Sequence, residues 1–99
     1  MNELLEQLNK AFENKVRLGL MSLLMVNDTL DFTRVRELLQ VTDGNLASHS
    51  RALENAGYIK VEKTFVGRKP NTTYMATKAG KQAFQQHLDA LEALLKQNR

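Results

Sequence analysis

Asp31-Phe-Thr-Arg-Val-Arg-Glu-Leu-Leu39, then Gln40-Val41, then Thr42-Asp-Gly-Asn-Leu-Ala-Ser-His-Ser-Arg-Ala-Leu-Glu-Asn-Ala-Gly57 is the stretch that decides how this chain folds. In the first part Phe32, Val35, Leu38 and Leu39 recur at helical spacing and should face inward, leaving Thr33, Arg34, Arg36 and Glu37 outside. Asp31 is placed to cap that helix. In the last part Thr42 is an N-cap, Asp43 suits the positive end of the helix dipole, and Val41 with Leu46 has hydrophobic-staple spacing. Leu46, Leu53 and Ala56 form its expected buried stripe, and Gly57 stands where a left-handed C-terminal cap belongs. The reading is two helices joined by a tight turn, a helix-turn-helix.

Downstream, Tyr58 to Phe65 alternates, with Ile59, Val61, Lys63 and Phe65 on one face and Tyr58, Lys60, Glu62 and Thr64 on the other. Thr72 to Thr77 is rich in strand formers, and Gly67-Arg-Lys-Pro-Asn71 between the two runs reads as a hairpin tip. Thr77 caps a long last helix in which Phe84, Leu88, Leu91 and Leu95 recur at helical spacing, widened by Ala83, Ala90, Ala93 and Leu94.

Upstream, apolar residues occur on nearly every side from Asn14 to Val26, so this helix should be largely buried. Leu30-Asp31-Phe32 offers a minimal strand. Leu4, Leu5, Leu8 and Phe12 share one stripe and predict a first amphipathic helix over residues 1–13. The fold class is therefore mostly α with a small β-hairpin (α+β): a three-helix core, a hairpin and long terminal helices. A chain of 99 residues with 42% hydrophobic content buries one core, so residues 1–99 are taken as a single domain.

Composition narrows the function classes. There is no cysteine, which removes disulfides, thiolate nucleophiles and thiolate metal sites. Met1 to Leu8 is acidic and amphipathic, unlike a signal peptide, and the apolar run from Val16 to Val26 is too short to span a bilayer. A cytoplasmic location is expected. His49 and His87 are the only histidines and stand in no metal-ligand spacing, so neither metal nor cofactor is expected. His87 reads as a solvated or interface residue. The serines lack a matching histidine and acid, and no glycine-rich phosphate loop appears, so an enzyme is not expected.

Net charge is only +3, but Lys60, Lys63, Arg68, Lys69, Lys78 and Lys81 stand against Glu62 alone between residues 60 and 81. Concentrated cations attract phosphate through counterion release. The outer face of the second helix offers small and hydrogen-bonding groups, Thr42, Gly44, Asn45, Ser48, His49 and Arg51. A helix presenting such groups near its N-terminus can read base edges in a major groove, although a solvated helix face is the ordinary reading of the pattern. Lys63, Arg68, Lys69 and Asn71 in the hairpin can lie on a phosphate backbone or enter a minor groove, where the bland reading is a solubilising turn. Thr33 and Arg34 on the preceding helix are candidates for backbone contact. The order of these elements is what favours double-stranded DNA as the partner.

The terminal helices carry more apolar stripe than a small core covers, which points to a homodimer through Leu4, Leu5, Leu8 and Phe12 of the first helix and Phe84, Leu88, Leu91 and Leu95 of the last, taken over 77–98. A dimer seam of this kind leaves open an apolar small-molecule effector.

Thr42-Asp-Gly-Asn-Leu, Leu53-Glu-Asn-Ala-Gly-Tyr-Ile, Gly67-Arg-Lys-Pro-Asn-Thr and Val16-Arg-Leu-Gly-Leu together resemble winged helix-turn-helix transcriptional regulators, above all compact members related to the multiple-antibiotic-resistance (MarR-like) and arsenic-repressor (ArsR-like) types. The resemblance covers roughly Leu8 to Leu95. It implies a homodimer with recognition helix 42–56 in the major groove and wing 66–71 beside it, bound to a palindromic operator, as a repressor because no activation segment is visible. One departure is Ser50, where such regulators have leucine, which removes an inward apolar contact. The effector cysteines and histidines of metal-sensing relatives are absent as well. The rival reading is a winged-helix protein–protein interaction module without sequence-specific DNA binding.

Overall fold

Side-chain caps set the helix starts. Asn14 accepts from the amides of Val16 and Arg17 at 2.9 and 3.2 Å, Asp31 from Arg34 at 2.7 Å, Thr42 from Asn45 at 3.1 Å, and Thr77 from Gly80 at 2.9 Å. The computed structural model describes residues 2–97. In order these form α1 (Asn2–Gln7), a 3₁₀ turn (Lys10–Phe12), α2 (Lys15–Val26), β1 (Leu30–Asp31), α3 (Phe32–Leu39), α4 (Asp43–Asn55), β2 (Ile59–Val66), β3 (Lys69–Ala76) and α5 (Lys78–Gln97). Asn98, the expected last residue of the final helix, lies outside the described residues, as do Met1 and Arg99.

The sheet is antiparallel with order β1-β3-β2, and Leu30 pairs with Tyr74 while Ile59 pairs with Ala76. The expected mostly α fold with a small hairpin is what forms, with β1 as its third strand. Leu20, Met21 and Leu24 of α2, Val35 of α3, Leu46 and Leu53 of α4, Ile59, Tyr74 and Phe84 make one core around α2. Val41 packs on that core as the staple spacing requires.

Two conformational positions close the helix ends. Gln40 ends α3 in the left-handed region at φ 54°, donating its amide to the Arg36 carbonyl, and Gly57 does the same after α4 at φ 80°. Arg36 then bridges the turn to Asp43 at 2.8 Å, tying the end of α3 to the start of α4. That bond and the Asp43 charge hold the Arg36 guanidinium above its ordinary pKa.

Several expected placements change. The first stripe is not one helix: Asn9 interrupts it, capping the 3₁₀ turn through its side chain. Phe12 is consequently turned into the domain's own core, stacked on Tyr58 and edge-on to Phe84, so Phe12 and Phe84 are not available to a dimer seam. Leu38 and Ala56, expected inside, are exposed, because Val35 and Leu39 already fill the α3 contact and α4 ends at Asn55. His87 is buried instead of solvated, with Nδ1 accepting the Asn9 amide at 2.9 Å and its ring edge-on to Phe12.

Gly80 marks a close approach of α5 to the residue before β2. A Cβ there would collide with the Tyr58 carbonyl oxygen, which also accepts from the Thr77 amide at 3.0 Å, while the Thr77 hydroxyl donates to the Gly57 carbonyl at 2.7 Å. The start of α5 is thereby pinned to the start of β2.

Candidate nucleic-acid interface

α4 buries Leu46, Ser50 and Leu53, and the 100° step per residue puts Gly44, Ser48, Arg51 and Asn55 on the opposite side, all exposed. Thr42 and Asn45 are exposed at its N-terminal end. His49 sits at the edge of this face, half-buried, where its Nδ1 meets Nη1 of Arg17 at 3.0 Å. Arginine has no acceptor, so Nδ1 receives the hydrogen and the imidazole proton lies on Nε2. Arg17 is itself held by the Ala11 carbonyl at 2.6 Å from Nε and the Lys10 carbonyl at 3.4 Å from Nη2. His49 therefore props α4 against α2 from one flank.

Ser50 resolves the expected loss of an apolar contact. Its hydroxyl, buried, accepts from the Tyr74 hydroxyl at 3.2 Å and donates to the Ala47 carbonyl at 3.1 Å. Tyr74 reaches Ser50 from β3, so the helix is seated on the sheet by a bonded pair of hydroxyls. Burial raises the Tyr74 pKa; the Ser50 bond partly opposes this and the Glu54 charge adds to it.

The hairpin leaves the body after its first residues. Ile59 is buried and Val61 half-buried, whereas Lys63, Phe65 and Val66 are exposed. Its tip is tighter than the expected five-residue loop: Val66 pairs with Lys69 around Gly67-Arg68, with positive φ at Gly67 only, the arrangement of a type II′ turn. Pro70, opposite Phe65, falls in the non-hydrogen-bonded pair next to that turn, so its missing amide costs no ladder bond.

Strand alternation separates the hairpin's candidates. Lys63 lies on the side of Ile59 and Val61, towards α4, and Lys69 and Asn71 lie on the other. Arg68 is at the turn. Asn71 is half-buried and donates to the Thr73 hydroxyl at 3.3 Å. Among the described residues Lys63, Arg68 and Lys69 form no ion pair, while Glu62 faces Lys60 at 3.8 Å. An open cleft of about 140 Å³ joins the two elements, lined by Ala47, Arg51 and Glu54 of α4 and by Val61, Lys63 and Thr72 of the hairpin. Thr33 and Arg34 are exposed on the first turn of α3.

A polar helix face and a cationic hairpin set in one frame match a known family. The family model described as a winged helix DNA-binding domain covers residues 16–95. The chain belongs to that family. An uncharacterized protein of Methanocaldococcus jannaschii is 30% identical over 79 residues, 80% of this chain and 86% of that protein. The structure described as a transcriptional regulator homologue from Pyrococcus horikoshii OT3 is 34% identical, covers 97% of this chain and 96% of its own, and superposes with a TM-score of 0.87. A MarR family transcriptional regulator from Streptomyces coelicolor, solved in complex with DNA, shares the fold at 18% identity and TM-score 0.68, over 93% of this chain and 64% of that one.

Fold and family are thus those of small winged-helix transcriptional regulators, and the resemblance read from the sequence holds. Among the described residues no helix is long and apolar enough to cross a membrane. Two residues of this winged helix escaped the sequence reading. Asn55 shares the outer face of α4 at seven residues from Ser48, a spacing that could have shown it. Arg17 stands as a lone cation within the apolar run from Val16 to Val26, and only the turn before α2 reveals what it holds.

Proposed function

We propose that this winged-helix protein is a homodimeric, sequence-specific double-stranded DNA-binding regulator that represses by occupying a palindromic operator. The observation that carries the proposal is the shared frame of α4 and the hairpin, with Arg51 and Lys63 on one cleft and, among the described residues, no ion pair on Lys63, Arg68 or Lys69. In this reading Gly44 lets the helix approach the groove, while Asn45, Ser48 and Arg51 reach base edges, with His49 at their margin. Arg68 and Lys69 neutralise phosphates, with Lys63 between wing and helix, Asn71 bracing the strand, and Thr33 and Arg34 on the backbone beyond Thr42. A cytoplasmic location accords with this role.

The dimer would form on the apolar surface that folding leaves outside. Leu5, Leu88, Leu91 and Leu95 are exposed, from 38% at Leu88 to 73% at Leu95, and Leu4 and Leu8 border them half-buried. α1 packs along α5, so these leucines belong to one contiguous pair of helices.

Selection of bound sequences from a random DNA pool is the test. Inverted repeats with half-sites about one helical turn apart, roughly 10 base pairs, are expected. A pool that shows no enrichment would refute the proposal in favour of a protein-interaction module.

A further inference from the structure

The hairpin ends in apolar side chains that the fold does not use. Phe65 is 74% exposed and Val66 67%. Phe65 faces Pro70 across the strands, and alternation places that pair on the side of Lys63 and Val61, the side that meets α4. Phe65 and Pro70 together leave an apolar pair exposed at the end of a projecting hairpin.

The surrounding charge says what it contacts. Lys63 shares the face of the pair, Arg68 stands at the turn beside it and Lys69 lies on the reverse face, and the chain carries no carboxylate between Glu62 and Asp89. A polyanion complements such a tip. We propose that Phe65, backed by Pro70, is an apolar wedge that the wing presses into the minor groove against sugars and base steps, so that the wing senses how easily the duplex deforms beside each half-site. The inference rests on the DNA reading above and adds a specificity-determining residue to it.

An apolar wedge and a phosphate contact respond differently to salt, which gives the test. Wild type, Phe65→Ala, Phe65→Leu and Arg68→Ala are titrated by fluorescence anisotropy against a duplex recovered by selection and a random duplex, over about 50 to 200 mM salt. End-to-end energy transfer on the same duplexes reads the bend. Phe65→Ala is expected to bind the selected duplex about tenfold more weakly with an unchanged salt slope and a smaller bend, because no counterion release is lost. Phe65→Leu keeps most of the affinity, since leucine also wedges. Arg68→Ala instead lowers the slope by about 1. The thermal midpoint of Phe65→Ala should match wild type, the ring being exposed. Affinity within twofold of wild type at the same bend would overturn the wedge, as would a loss that follows the salt slope. Altered sedimentation with intact DNA binding would also overturn it and assign Phe65 to a protein contact. Wild-type protein that binds neither duplex overturns the DNA reading itself, an outcome visible before any variant is compared.

Discussion

Ser50→Ala and Tyr74→Phe, made singly and together, test what seats the recognition helix on the sheet. The Tyr74 hydroxyl donates to Ser50 Oγ at 3.2 Å, and both residues are buried at 1% and 5% exposure. Removing the acceptor strands a buried phenol at a cost of about 1 to 3 kcal/mol, and the adjoining cleft admits water, which favours the lower end. Removing the donor costs about 1 kcal/mol, because Ser50 keeps its bond to the Ala47 carbonyl. Together the two changes leave no unpaired phenol, so the double variant should lose only about 1 kcal/mol, a coupling of roughly 1 kcal/mol. Urea unfolding followed by circular dichroism reads this: with a slope of about 2 kcal/mol per molar, each single change lowers the midpoint by about 0.5 M. Effects that add to within about 0.3 kcal/mol would refute the pairing. A pH arm sharpens the test. Because the folded-state Tyr74 pKa is raised, its protonated form is favoured in the native state, so its contribution is complete below the ordinary tyrosine value of about 10 and is lost as pH rises through the folded value. The stability gap between wild type and Tyr74→Phe should therefore close in strong alkali; a gap that stays constant contradicts it.

Gly80→Ala should destabilise by at least about 2 kcal/mol in the same urea assay, although alanine favours helix by about 1 kcal/mol, because its Cβ would meet the Tyr58 carbonyl and push α5 from its anchor; wild-type stability would show that the helix shifts freely. Leu91→Ser with Leu95→Ser is expected to give a folded monomer by sedimentation, since both side chains are exposed in one chain, and a persisting dimer would move the seam to α1 or elsewhere. Arg68→Ala and Lys69→Ala should each weaken all duplexes alike and reduce the salt slope by about 1, whereas Asn45→Ala should cost about 1 to 3 kcal/mol on the preferred sequence only. Equal losses on preferred and random DNA would remove Asn45 from the reading face.

Local signals made the fold legible. Asp31, Thr42 and Thr77 cap the helices their positions announce, and Gly57 takes the left-handed conformation expected of it. What the sequence concealed depends on contacts distant along the chain. Phe12 shares a period with Leu5 and Leu8, yet Asn9 breaks the helix and turns the ring onto Phe84, more than seventy residues away. His87 is buried because the same Asn9 offers it an amide, which no helical spacing records. Ser50 looked like a defect in the recognition helix until Tyr74 arrived from another strand. On the candidate interface, Gly44, Ser48 and Arg51 lie on the exposed side that periodicity assigns them, Thr42 and Asn45 are exposed at the start of the helix, and His49 is drawn to the flank by Arg17. Alternation had already placed Lys63 and Phe65 together; the two-residue turn, which puts Lys69 on the opposite side, was hidden by Pro70 and Asn71 reading as loop.

The central claim is that α4 chooses a sequence while the wing supplies grip. The ratio of affinities for a selected duplex and a random duplex, measured at one physiological salt concentration, tests it most directly. A ratio of about 10³ or more is expected for wild type, falling sharply in Asn45→Ala and holding in Arg68→Ala. Equal affinity for both duplexes in wild type would contradict the claim.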